Sequence, residues 1–202
     1  MIVLILGKTK MNDGICIGGY LTSERRSVRL IPQGRHNNPL DDDHQIGDLW
    51  EIDFHRPAQI VDPHTEDIIV TRSRFVRHVT DIRNFITEHM TPYNGPVTGL
   101  YGGLIRFTGN GSGYISHNVG VPNYSTCFWI PDRHLNCSQE GNKKYYLYNN
   151  NLRQLKFIYK GMQESVNRIE AGTLVRMSLA RWWAPEDADI EERCYVQLSG
   201  WF

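Results

Sequence analysis

Residues 193–202 read Arg-Cys-Tyr-Val-Gln-Leu-Ser-Gly-Trp-Phe. A solvated tail would be polar, whereas this one is built mainly of Cys, Tyr, Val, Leu, Trp and Phe. Such residues suit a pleated, half-buried surface. The segment is therefore expected to be a strand docked into the body of the fold, and the fold to be incomplete without it. Its counterpart at the other end is residues 2–6, Ile-Val-Leu-Ile-Leu. An unbroken β-branched and leucine run of this kind suits a strand buried on both faces.

Between these ends the chain reads as short strands separated by turn residues. Residues 15–21 form a second strand, in which Gly18-Gly19 marks a bulge or bend. Residues 27–32 form a third, closed by Pro32, and a polar excursion follows to Gln45. Residues 47–54 alternate strictly, with Leu49, Glu51 and Asp53 on one face and Trp50, Ile52 and Phe54 on the other. Residues 67–76 read as a strand. Residues 80–90 read as the one clear helix, with Ile82, Phe85, Ile86 and Met90 on one stripe, Thr80 as N-cap and Pro92 as terminator. The glycine-rich stretch 92–121 has no phosphate-loop motif and reads as hairpin turns. Strands resume at residues 127–130, 144–148, 154–159 and 173–181. Roughly ten strands without βα alternation indicate an all-β chain with one or two short helices.

Composition fits an ordinary globular protein, with 40% hydrophobic and 22% charged residues. The 22 basic and 22 acidic residues cancel, which argues against a broadly cationic coat for nucleic acid but not against a local basic groove. Asp41, Asp42, Asp43 and the segment 186–192 concentrate the acids. The apolar run at residues 2–6 stops at Gly7-Lys8, too short for a signal-peptide core or a membrane span. A cytoplasmic location is expected, without membrane association and with four reduced thiols at Cys16, Cys127, Cys137 and Cys194. Cys127, His134 and Cys137 offer three ligands without the paired CxxC spacing, so neither metal nor cofactor is expected.

No GxSxG or HExxH motif is present, and the eight histidines are scattered. Cations that grip phosphates and aromatic faces that stack bases are the chemistry of nucleic-acid binding. Lys8, Lys10, Arg25, Arg26 and Arg29 are the candidate phosphate contacts. Trp182, Trp183 and Tyr20 are the candidate stacking residues, and Arg176 and Arg181 serve either role. If the terminal strands pair, these segments become neighbours. An enzyme acting on a nucleotide or modified base is the alternative, with Asp48, Glu51, His55 or Cys16 as acid, base or nucleophile. A partner-binding, antitoxin-like module is a third reading.

The segments KTKMNDGICIGGY (8–20), RSVRLIP (26–32), GDLWEIDF (47–54), LARWW (179–183) and ERCYVQLSGWF (192–202) resemble the dual OB-containing domain of bacterial proteins. The resemblance spans the chain and is weakest in the middle third. It implies two packed OB-like barrels. The end of the helix divides the chain into residues 1–92, with the helix, and residues 93–202, whose last strand is expected to pair with or lie near the first. The resemblance also implies a non-catalytic module that binds nucleic acid, DNA or RNA, in a bacterial conflict or defence system, with NAD or ADP-ribose chemistry in some members. Zero net charge departs from a comfortable nucleic-acid binder.

Overall fold

The computed structural model describes residues 1–151, 153–186 and 190–202. Five strands close a barrel: β1 (Ile2–Met11), β2 (Gly14–Leu21), β3 (Arg26–Pro32), β4 (Asp48–His55) and β5 (Asp67–His78), in the order β1-β2-β3-β5-β4. All neighbours are antiparallel except β3 and β5, which is the OB arrangement.

The pleat explains why β1 is apolar without interruption. Val3 and Ile5 point into the barrel, onto Ile15, Ile17, Val28 and Ile68. Leu4 and Leu6 point outwards and are buried too, against Tyr20, Ile86, Phe128 and Leu174. In β4, Ile52 with Trp50 and Phe54 fills the barrel while Glu51 and Asp53 face solvent, as the alternation predicts. Leu49, on the Glu51 face, is buried under the helix layer. The bulge falls on β1, between Ile5 and Gly7, opposite Gly18 and Gly19.

Helix α1 (Ile82–His89) covers the outer face of the barrel. Its N-cap is Asp81 rather than Thr80, because the Asp81 carboxylate accepts the Asn84 N–H at 2.9 Å.

Beyond α1 lie β6 (Tyr93–Gly95), a 3₁₀ segment (Val97–Gly103), β7 (Arg106–Phe107), β8 (Gly113–Ser116) and β9 (Thr126–Pro131). Then follow β10 (Leu135–Glu140), β11 (Lys143–Asn149), β12 (Gln154–Tyr159), β13 (Arg168–Ile169), β14 (Val175–Leu179) and β15 (Arg193–Trp201). They form one large sheet, β13-β10-β11-β12-β15-β14-β9-β6, with β8 beside β15 and β7 beside β8. Its core is aromatic, centred on Trp129, Tyr146, Tyr148 and Phe157.

The closing strand is docked as expected, but not on β1. Strand β15 lies between β14 on one edge and β8, then β12, on the other. Strand β1 has one edge taken by β2 and the other by β4 at residues 2–4 and by residues 160–162 at its far end, so β15 does not pair with it. The link between them is residues 160–162. Lys10 N–H donates to Lys160 O, and Met162 N–H to Lys8 O, while Lys160 N–H donates to Leu198 O of β15.

The β4–β5 loop sews the barrel to the sheet at several points. Trp182 Nε1 donates to Asp62 O at 2.7 Å, and Thr65 Oγ1 to Asn123 O at 2.7 Å. Glu66 receives the Ser125 N–H (2.6 Å), the Ser125 hydroxyl (2.8 Å) and the Thr126 N–H (3.1 Å). No helix among the described residues is long and apolar enough to cross a membrane.

Candidate functional site

The sequence-predicted cations do not form one surface. Lys10 is exposed at the β1–β2 tip, while Arg25 sits on the β2–β3 turn at the other end of β2. Eight residues of β2 separate them, about 25 Å at the strand rise. Arg26 pairs with Glu24 at 2.6 Å. Lys8 is buried and its ammonium donates to Asp42 O. Tyr20 is 1% exposed, its ring packed on Phe85 and its hydroxyl donating to His89 O. Trp182 has its face on His117, with centroids 4.0 Å apart. Lys8, Tyr20 and Trp182 therefore correct the expectation: each is committed to the fold, Lys8 under the β3–β4 loop, Tyr20 under the helix and Trp182 on the β4–β5 loop. Arg176 is buried as well. From the predicted set, Lys10 and Trp183 reach one groove, and Arg29 and Arg181 reach a neighbouring crevice.

The groove is built by the pleat of the large sheet. On β12, Leu155 and Phe157 point into the core, so Lys156 and Ile158 point out, with Lys160 just beyond the strand. On β11, Tyr146 and Tyr148 point in, so Lys143 and Tyr145 point out. On β15, Cys194, Val196 and Leu198 point in, so Tyr195 and Gln197 point out. The register sets Tyr145, Ile158 and Gln197 in one row across the three strands. Trp183 pairs with Arg193 through two backbone hydrogen bonds, and its exposed indole lies 6.0 Å from the Tyr195 ring.

A hollow of about 500 Å³ is lined by Asn12, Tyr145, Lys156, Lys160, Trp183 and Tyr195. Sharing Ile158 and Lys160 with it is a second, of about 810 Å³, lined by Lys10, Lys143, Lys144, Lys160 and Glu164. Lys156 pairs with Glu140 at 3.0 Å and lies 4.8 Å from the centre of the Tyr145 ring. Lys10, Lys143, Lys144 and Lys160 make no ion pair among the described residues. Sequence reading missed Lys143, Lys144, Lys156, Lys160, Tyr145 and Tyr195. The signal was present as period-2 spacing: Lys143 and Tyr145 in one strand, and Lys156, Ile158 and Lys160 in the next.

The crevice lies where barrel meets sheet. It measures about 160 Å³ and is lined by Cys16, Arg29, His64, Glu66, Arg176 and Arg181 among others. Arg29 and Arg181 both bond Asp67, at 2.9 and 2.8 Å. Burial first, and then the charges of Arg181 and Arg29, hold the His64 imidazole down at about 4. Its Nε2 lies 3.2 Å from Ala180 O.

This predicts an acid sensitivity. The unfolded chain binds the His64 proton below about pH 6.5, whereas the folded chain binds it only near 4. The neutral ring's contribution to stability is thus complete above 6.5 and is lost as pH falls towards 4. The loss reaches about 3 kcal/mol. Urea midpoints measured across this window should fall less steeply in His64→Gln than in wild type. Parallel profiles would refute the assignment.

The enzymatic candidates stay apart. Asp48 pairs with His78 at 2.9 Å and Glu51 with Arg74, while His55 ends the same strand on the outside. Cys16 alone reaches the crevice. Among the described residues no group of three or more His, Cys, Asp and Glu is placed to hold a metal. The Cys127 thiol is pushed up to about 12 by burial, beside Tyr101. Of the acidic segment 186–192, residues 187–189 lie outside the described residues.

No curated protein matches the chain. Among solved structures, the p204 HINb domain is similar at 13% identity and a TM-score of 0.36, covering 98% of this chain and 95% of that one. The Ifi202 HINa domain, solved in complex with a 20bp dsDNA, is 10% identical at a TM-score of 0.36, with 98% and 95% covered. A murine DNA binding protein bound with ds DNA is 9% identical at 0.33, with 98% and 91% covered. Likeness at this level says nothing of what this chain binds. The sequence profile of the dual OB-containing domain matches residues 1–201, and the chain therefore belongs to the dual OB-containing domain family.

Proposed function

We propose that the protein binds nucleic acid, with single strands preferred, along the outer face of β11, β12 and β15. The observation that carries this reading is the meeting of two hollows at Ile158 and Lys160, one lined by Lys156, Tyr145, Trp183 and Tyr195 and the other by Lys10, Lys143 and Lys144. Lysines displace the counterions of the phosphate backbone. Exposed rings stack unpaired bases, at about 1–3 kcal/mol each. Bases in a duplex already stack on one another, so an aromatic groove favours a single strand. Zero net charge is no obstacle, because binding depends on the local field and acids such as Asp41–43 are concentrated elsewhere in the chain. The family resemblance adds a bacterial defence system as the setting.

Fluorescence anisotropy with single- and double-stranded DNA and RNA tests this. For a single strand gripped by four or five lysines, the slope of log affinity on log salt should be about −2.8 to −3.5. Lys143→Ala with Lys160→Ala should flatten it by about 1.4. Trp183→Ala should weaken binding about tenfold and leave the slope unchanged. No binding at low salt, or binding indifferent to salt, would overturn the reading.

A further inference from the structure

Arg176 of β14 crosses from the sheet to lie flat on the β1–β2 hairpin. A Cβ on Gly18 would stand 2.3 Å from its Nη2, and one on Gly7 2.9 Å from its Nη1. The two glycines are what allow the guanidinium to sit there. The residue is 7% exposed. Its Nη1 donates to Ser199 Oγ at 2.9 Å, and among the described residues no carboxylate lies within ion-pairing distance of it. The carboxylate whose charge reaches it is Glu66, whose oxygens are already occupied by Ser125 and Thr126.

A buried cation without a counterion is costly. Here it faces the crevice that Arg29 and Arg181 also line. The three guanidiniums are set against two carboxylates, Glu66 and Asp67, and Asp67 is shared between Arg29 and Arg181. Each guanidinium carries five N–H donors, so donors remain after these bonds are made. His64 stays neutral beside them. The walls add hydroxyls from Thr9, Thr126 and Ser178. The space is that of about five waters. It thus combines excess positive charge, forked donors and room for a small tetrahedral anion, and guanidinium forks match phosphate oxygens.

We propose that this crevice is a binding site for a phosphate monoester, with Arg176 at its floor and Arg29 and Arg181 at its mouth. It is separate from the lysine groove, although the two share Ala180 and Gln197 as lining residues. The phosphate has two sources of the same chemistry: a free mononucleotide, or the phosphorylated end of a strand lying in the groove.

The experiment compares melting in potassium phosphate and potassium chloride at matched ionic strength, then titrates adenosine monophosphate and two oligonucleotides, one 5′-phosphorylated and one 5′-hydroxyl. A phosphate-specific rise in melting temperature that grows with concentration is expected. Arg181→Gln, at an exposed position, should weaken phosphate binding at least tenfold, as should Arg29→Gln. Arg176→Gln should abolish it if the variant folds, and the other two decide the matter if it does not. Tighter binding of the phosphorylated oligonucleotide, lost in Arg181→Gln, assigns the strand end. Equal binding of both oligonucleotides, with mononucleotide bound, assigns a free small phosphate. No phosphate-specific rise, or a rise untouched by all three substitutions, overturns the site. Binding of the hydroxyl oligonucleotide reports on the groove alone, so the two readings fail separately.

Discussion

Removing residues 200–202 is expected to lower the melting temperature by more than about 10 °C, not merely to weaken binding. Gly200 and Trp201 end β15 and pair with Arg176 and Val175 of β14, and Phe202 follows them. Trp201 packs edge-on to Tyr146 and tilts over Tyr159, with centroids 5.7 and 5.4 Å away. Its backbone is held at both polar groups by the Gln163 amide, at 3.1 and 3.0 Å. Phe202 N–H donates to Leu174 O, and its ring meets Phe128 under the barrel. Losing two half-buried aromatics and these hydrogen bonds costs more than about 5 kcal/mol. A kilocalorie shifts the midpoint of a chain this size by about 2–4 °C. Circular dichroism melting would read it. A truncated chain that melts within a degree or two of the full one would show that the closing residues bear little of the structure.

Glu66→Ala should destabilise the protein by about 3–5 kcal/mol, the range for breaking a buried charged network. The Glu66 carboxylate is 5% exposed as a residue and is the acceptor for two backbone N–H groups and the Ser125 hydroxyl at the start of β9. Its own carbonyl accepts Arg29 N–H from β3. The residue thus ties the barrel to the sheet. Alanine would leave buried donors unpaired, each at about 1–3 kcal/mol, and would also remove a carboxylate charge that acts on Arg176. Glu66→Gln keeps an acceptor oxygen at the same place and should cost less than half as much. Chemical denaturation of both variants reads the difference. Equal losses would mean that shape rather than hydrogen bonding matters here, and a loss below about 1 kcal/mol for alanine would refute the role.

Much of the barrel was legible residue by residue. Strict alternation in residues 47–54 set Trp50, Ile52 and Phe54 on one face, and that face is the one turned into the barrel. The uninterrupted run at residues 2–6 announced a strand buried on both faces, and it is. The N-cap was misplaced by one residue because Thr and Asp both cap well, and only geometry chooses between adjacent candidates. The strand count fell short by five: β6, β7 and β13 are two or three residues long and β8 four, too short for periodicity to show, while β10, LNCSQE, is mostly polar and shows no clean apolar alternation.

The candidate site was legible only in its chemistry. Cations beside aromatics were expected, but the particular residues were chosen by proximity in sequence. Lys8 and Lys10 differ by two positions, yet one is buried beneath the Asp42 carbonyl and the other is exposed on the groove. Trp182 and Trp183 are adjacent, yet one donates to Asp62 and stacks on His117 while the other faces open space.

By itself, the sequence determined the local terms: which segments extend, which face of each is apolar, and that the residues at 193–202 belong to the folded body. These follow from side-chain size, branching and a two-residue pleat, all of which act between near neighbours. Tertiary structure alone decided that β15 enters the large sheet rather than pairing with β1, bringing Gln197 beside Ile158 across 39 residues of chain. That one pairing aligns the lysines of β11 and β12 with Tyr195 and Trp183, and sets Arg176 against Gly7 and Gly18. Strand partners so far apart are selected by the burial of two whole faces at once, a quantity that no single segment carries.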